Sequence, residues 1–294
     1  MSVFSHGRRF IVTVADDFGK TASVNAAVAE AHDRGILTSA SLMAGGGAFD
    51  DAVRTLQQRK ALSVGIHVTL CDGRAVSSPS AIPGLAAADG FFEKNPARAW
   101  LRYSARRLRP QIEREVKAQF DRLEKAGIHP THIDGHHHLQ MHPVIFDILC
   151  REAEARGVCW IRMPREPLSA MFLMRSSQRG AMPLLEWAVF GLLGALHKKK
   201  AGRLGVYSPE HVFGLSKTGS VDEGYLLRVV EQVSGPVDEV FAHPDASNEE
   251  GRRELGAFTS SAVRERVASL GITLAGYREL TGTQSTFSSI WEKP

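Results

Sequence analysis

Six of the chain's twelve histidines stand together in the stretch His129-Pro-Thr-His132-Ile-Asp134-Gly-His136-His137-His138-Leu-Gln-Met-His142. Imidazole is the commonest protein metal ligand and the side chain that titrates nearest neutrality. A cluster punctuated by an aspartate and a turn glycine therefore points to a metal site or a proton-transfer site. The run is internal and opens with an apolar-polar alternation, Thr131-His132-Ile133-Asp134, which reads as the end of a strand rather than as a tag.

Three further groups could share that chemistry. Asp16 and Asp17 follow directly on the apolar run at 10–15 and precede Phe18-Gly19. Like charges so close raise each other's pKa unless a cation intervenes, and a metal would supply one, although a capping turn between strand and helix fits the pair as well. His67 interrupts the apolar run Val64-Gly-Ile-His67-Val-Thr-Leu70, where a lone histidine reads as a core residue. Its neighbours in the pattern change that reading. Asp17, His67 and His136 all fall at the ends of strand-like segments, and in a parallel barrel such ends converge on one face. An Asp/His/His triad there would leave coordination positions open for water and substrate. His243, in Phe241-Ala-His243-Pro244-Asp245 at another strand end, adds a candidate general acid or extra ligand.

The elements that must carry these residues alternate. Strand-like segments are expected at 10–15, 39–44, 63–70, 131–136, 159–163, 212–215, 239–242 and 272–276. Between them, helices are expected at 48–60, 108–126, 142–156, 221–234 and 250–270. A first helix, capped by Thr21 or Ser23 and ended by Gly35, carries Val24, Ala27, Val28 and Ala31 as an apolar stripe. This βα repeat predicts an α/β fold, either a parallel barrel or an open doubly wound sheet. Two regions interrupt it: a Pro- and Gly-rich loop at 71–98, and an insertion at about 165–210. The insertion holds the apolar run 182–196 followed by His197-Lys-Lys-Lys200. That run is too short to span a bilayer. It predicts either a buried helix or one lying against a membrane or greasy ligand, with the lysines toward anionic head groups.

Composition narrows the class. A chain of 294 residues, 43% hydrophobic and 23% charged, can bury a large core and is read as one domain, 1–294. A formal charge of +4, without aromatic residues among the basic clusters, does not point to nucleic acid. Cys71, Cys150 and Cys159 follow no metal spacing, and the start MSVFSHGRRF lacks a secretory apolar core, so reduced thiols and a cytoplasmic location are expected.

Taken together, Val-Ala-Asp16-Asp17-Phe-Gly, Gly-Ile-His67-Val-Thr-Leu, Thr-His132-Ile-Asp134-Gly-His136-His137-His138-Leu-Gln-Met-His142-Pro and Ala-His243-Pro resemble the YdjC-like (ChbG-type) carbohydrate deacetylases, in order and over most of the chain. The resemblance implies a distorted TIM-like barrel and a divalent metal, magnesium by family habit, held by His67 and His136 with the Asp pair. It also implies removal of the acetyl group from an N-acetylated sugar. The Arg-Arg-Phe-Ile-Val-Thr start, Ser-Leu-Met-Ala-Gly and the apolar insertion are similar to the hopanoid-biosynthesis-associated HpnK subgroup, which implies an N-acetylglucosaminyl group carried on a hopanoid lipid.

The roles expected are Asp17 as ligand with His67 and His136, Asp16 as general base, and His243 as the acid that protonates the leaving amine. Asp134 is expected to orient a histidine, and His138 to support the site or contact substrate. Asp16 and Asp17 could exchange roles. Two imidazoles and a carboxylate suit zinc, cobalt or nickel as well as magnesium. Competing readings are a deacetylase of soluble chito-oligosaccharides, a metal-dependent phosphoesterase and a non-catalytic lipid-binding protein. Oligomeric state is left open, a homo-oligomer included.

Overall fold

In the computed structural model of the chain, residues 8–167 and 182–282 are described, those at 182–187 by backbone alone. The N-terminal heptapeptide and the 168–181 part of the expected insertion lie outside the described residues.

Seven strands form one parallel sheet: β1 (Arg9–Phe18), β2 (Ser39–Leu42), β3 (Ser63–Val68), β4 (Ile133–Gly135), β5 (Val212–Phe213), β6 (Val237–Ala242) and β7 (Ile272–Leu274). Their order is β4-β3-β2-β1-β6-β5, with β7 also on β1. β1, β2, β3 and β6 are buried along almost their whole length, as strands covered on both faces must be. The architecture is the α/β, distorted TIM-like barrel that the repeat and the resemblance imply.

The expected strand at 159–163 is a correction. It appears only as isolated parallel bridges, Ile133↔Ile161 and Trp160↔Tyr207. Those bridges nevertheless close the sheet. Arg162 N–H donates to Ile133 O at 2.9 Å on one side, and Val212 N–H donates to Arg165 O at 3.0 Å on the other, joining the β4 edge to β5. A second correction concerns 250–270, which forms two helices, Glu249–Thr259 and Ser261–Ser269, rather than one. Ser260 leaves helical geometry between them. Its Oγ accepts from Val263 N–H at 3.2 Å and donates to Glu223 at 2.7 Å, so it caps the second helix.

Elsewhere the expected helices form, and one at 96–103 adds to them where the expected 71–98 loop ends. The first, α1 (Ala22–Arg34), is capped by Thr21 and buries Val24, Ala27, Val28 and Ala31. After it come α2 (Phe49–Gln57), α3 (Pro96–Tyr103), α4 (Arg109–Lys125), α5 (Pro143–Arg156) and α6 (Met182–Gly202). The long loop is tied down rather than loose: the N–H groups of Val76 and Ser77 each donate to the buried Glu115 carboxylate at 2.9 Å.

One irregularity in β1 positions the acidic pair. Ala15 pairs with Ala40 but Phe18 with Leu42, so β1 carries one residue more than β2 between those points. Asp17 absorbs the surplus with φ 62°, in the left-handed region. Such a bulge re-aims side chains, which lets two successive aspartates both serve one end of the sheet instead of alternating across it.

Candidate metal centre and active site

The C-terminal ends of the strands gather the expected residues on one face. Asp16 and Asp17 sit in the β1 bulge, His67 on β3, and His136 directly after β4. His243 follows β6, whose Ala242 pairs with Ala15 and thereby sets His243 beside Asp16. His67 and Asp134 are cross-strand partners in the β3–β4 register. Gly19, the last residue of Asp-Asp-Phe-Gly, has φ +87°, a conformation that residues with a Cβ rarely adopt, so glycine suits the position behind the bulge.

Donor atoms of Asp17, His67 and His136 lie within 4.8 Å of one another, and all three residues are buried. Asp17 Oδ1 is 3.4 Å from His67 Nε2 and 3.0 Å from His136 Nδ1. Yet Asp17 Oδ1, His67 Nε2 and His136 Nε2 each lack a hydrogen-bond partner of acceptable geometry. Unsatisfied buried polar atoms are costly, so one on each of three residues whose donor atoms share so small a volume fits a site that takes a ligand. Two imidazoles and a carboxylate are a competent donor set for a divalent metal. Asp17 Oδ2 is held by Lys20 Nζ at 2.8 Å.

Beneath this cluster the charged groups pair with one another, although Arg162 Nε and Glu239 Oε1, which face each other as an ion pair, also lack hydrogen-bond geometry. Asp16 receives both terminal nitrogens of Arg162, at 2.7 and 2.8 Å. The same guanidinium reaches Asp134 Oδ2 at 2.9 Å and pairs with Glu239, which also accepts from the Tyr277 hydroxyl. Asp134 Oδ1 holds His67 Nδ1 at 2.7 Å, and its Oδ2 accepts from Ser41 at 2.6 Å. Asp16, His67 and Asp134 also have donor atoms within 4.8 Å, but their oxygens are already committed.

Electrostatics point the same way. In their ionised forms Asp16, Asp17 and Asp134 outnumber the cations Arg162 and Lys20 set against them, an excess of negative charge that a bound cation would offset. Without one, the proton does the work. Burial disfavours a charged His67, but Asp134 overcomes it through charge and hydrogen bond, with help from Asp16 and Asp17, and raises the imidazole to about 10. Burial likewise pushes the Asp17 carboxyl up, while the His136 and His67 imidazoles set against it hold it well below its ordinary range. Burial lifts Glu239 to about 7 against the opposing pull of Arg162 and Tyr277.

The six clustered histidines divide by environment. His129 is exposed. His132 is buried behind the sheet, 3.0 Å from Ser41 Oγ and stacked on Tyr277, and burial with the nearby Arg162 pushes it down to about 3. Its ring fits because residue 65 is glycine: a Cβ there would meet it at 2.5 Å. His142 caps α5, accepting from Val144 N–H at 3.2 Å. His136, His137 and His138 line a cavity of about 730 Å³ with Asp16, Asp17, Lys20, His67 and His243. His137 and His138 both have φ 54°, so the backbone is strained where it presents them. Burial and Arg162 hold His138 well below its ordinary range, and its Nδ1 has no hydrogen-bond partner. His243 Nε2 is 3.9 Å from Asp16, and its backbone N–H donates to Glu254.

Sequence reading missed Arg162 and Glu239. A signal existed: each is a charge inside a short apolar run, Trp160-Ile-Arg162-Met and Val237-Asp-Glu239-Val-Phe, and such a charge is buried only when paired. Trp100 and Phe190, which line the cavity, carried no such mark.

The pattern of the YdjC-like protein family matches residues 10–269. The chain belongs to this family. A "Carbohydrate deacetylase" of Brevibacillus brevis is 38% identical over 144 residues, 49% of this chain and 55% of that relative. A "Chitooligosaccharide deacetylase" of Salmonella paratyphi B is 35% identical over 162 residues, 54% of this chain and 60% of that one. This YdjC-like chain thus spans little more than half the length of the curated relatives it matches. A crystal structure from Enterococcus faecalis V583, assigned to cellobiose-phosphate cleavage, shares the fold with TM-score 0.71 and 21% identity, covering 93% of this chain and 99% of its own.

Proposed function

We propose that the protein is a metal-dependent N-deacetylase that hydrolyses the acetamide of an N-acetylglucosaminyl substrate. One observation carries the reading: Asp17, His67 and His136, whose donor atoms lie within 4.8 Å of one another and each of which has a buried polar atom without a hydrogen-bond partner, line the cavity where Asp16 and His243 also lie. A divalent cation held by those three residues would supply Lewis acidity, polarising the acetyl carbonyl and making a water nucleophilic near neutral pH.

The chain's own groups do the rest. Asp16 accepts the proton of the attacking water, and the bidentate Arg162 fixes the carboxylate for that task; two bonds leave part of its acceptor capacity open. Water oxygen bonds to the acetyl carbon, the C–N bond breaks, and His243 protonates the leaving amine, giving acetate and a free amino sugar. Asp134 fixes His67 through Nδ1 and so directs its Nε2 at the cavity. His138 offers a neutral ring to the bound sugar. The bonding pattern favours Asp17 as ligand over Asp16, whose two oxygens already serve Arg162. Magnesium is the metal of the resemblance, and the two imidazoles favour zinc, cobalt or nickel; activity against each reconstituted metal decides.

The substrate in this reading is carried on a hopanoid-type lipid and met at the cytoplasmic side of a membrane. Support comes from the resemblance of the N-terminal segments and from Phe190 of the apolar helix, which lines the cavity. A second reading, soluble chito-oligosaccharides, is favoured by the printed function of the Salmonella relative. Mass spectrometry after incubating the metal-loaded protein with both substrate classes tests the proposal. Loss of one acetyl group per sugar from either supports it, and no free amine from any N-acetylated sugar overturns it.

A further inference from the structure

Among the described residues, helix α6 is apolar on two faces, and only one of them is buried. Inward, Phe190 and Leu193 pack on the core, His197 is buried against Phe146 with ring centroids 3.8 Å apart, and Ala201 is fully buried. Outward, Val189, Leu192 and Leu196 are 40%, 66% and 63% exposed. Their spacing of three and four continues to Lys199 and Arg203, both exposed, so one stripe runs from aliphatic to cationic. Lys198 and Lys200 instead turn to Glu210 and Asp147.

Helix α3 repeats the arrangement across the same cavity. Pro96, Ala97 and Trp100 line the cavity, while Leu101 is 77% exposed between the exposed Arg98 and Arg102. Both helices pack on the turn at 136–141 that carries the cavity histidines. Of the five large apolar side chains exposed among the described residues, four lie on these two helices. Scattered exposed leucines need no explanation, but four flanking one cavity do.

We propose that the outer stripe of α6 and the tip of α3 dock the protein on an anionic lipid bilayer, with the cavity mouth toward the head groups. Charge decides the occupant: the aliphatic residues are bordered by Lys199, Arg203, Arg98 and Arg102, the pattern of an interfacial helix rather than of a protein interface core, which excludes lysine. No helix among the described residues is long and apolar enough to cross a membrane, so the contact is peripheral. The docking surface does not depend on the identity of the substrate. With the lipid-carried substrate of the preceding reading, it means that the sugar is reached without extracting its anchor, because Phe190 on the cavity wall is one residue from Val189 at the lipid face.

Co-sedimentation of the full chain with vesicles tests it. The protein should bind phosphatidylglycerol–phosphatidylcholine vesicles, bind pure phosphatidylcholine weakly, and release with salt. Leu192→Ser with Leu196→Ser should weaken binding about tenfold or more, and Lys199→Glu with Arg203→Glu about twentyfold, with melting temperatures unchanged. Absence of binding to the anionic vesicles, or binding indifferent to both double variants, overturns the proposal. So does a concentration-dependent dimer, seen by sedimentation velocity, that the leucine variant disperses, since the face would then belong to a second copy. Vesicle binding without amine release from any N-acetylated sugar would leave the docking surface standing and remove the deacetylase reading; amine release without vesicle binding would do the reverse.

Discussion

The two layers of the site contrast. The upper layer, Asp17, His67 and His136, keeps three buried polar atoms without partners. The lower layer binds Asp16, Asp134 and Glu239 around Arg162, with Ser41 and Tyr277 bonded to its carboxylates. Both are buried, and both are rich in charge. They differ in what they face: Asp134 and Glu239 are closed around the buried Arg162, whereas Asp17, His67 and His136 line the cavity, where a ligand could reach them.

The sharpest way to break this comparison is to exchange its two adjacent carboxylates. Asp16→Asn should lower deacetylation by about 10²–10⁴-fold while metal binding stays near wild type, because a carboxamide accepts no proton. Asp17→Asn should chiefly reduce metal affinity, measured by titration calorimetry. If affinity collapses in the first variant and survives in the second, the roles are exchanged and the layers have been misassigned.

A smaller effect is expected from the frame. Asp134→Asn leaves all three donors in place but removes the anion that holds His67 Nδ1, and should weaken metal binding by about 10–100-fold. Unchanged affinity would mean that the frame does not orient the site.

A last effect is graded with pH. His67, raised to about 10, carries a proton at neutral pH in the metal-free protein, and a cation must displace it. Apparent metal affinity should therefore climb by about tenfold per pH unit below that value and level off above it, with one proton released per ion. For the metal-free fold the sign is opposite. The stabilisation from the charged His67 is complete below its ordinary pKa near 6.5 and is lost as pH rises through about 10. Titrations in buffers of different ionisation enthalpy count the proton, and a count of zero removes the electrostatic account of the upper layer.

Local pattern determined a good deal. The βα alternation, the Thr21 cap and the stripe of α1 were legible because they depend on neighbours within one or two turns. So were the residue types of the upper layer, since aspartate and histidine at successive strand ends have few other reasons to recur. Other features were beyond that reach. The strand expected at 159–163 shrank to bridges because its pairing depends on how the barrel edge closes, and Ser260 split a helix by a hydrogen bond to Glu223, 37 residues away.

The sequence alone established which side chains could hold a cation and that they lie at strand ends. Tertiary structure alone decided which of them are held by other side chains and which face the cavity. Arg162 is 146 residues from Asp16 in the chain, yet grips it with both terminal nitrogens, and a bulge invisible in the sequence turns both aspartates toward one end of the sheet. Composition likewise marked α6 as apolar throughout but left open which face would be covered, because burial is a property of neighbours brought together by the fold rather than of the residues themselves.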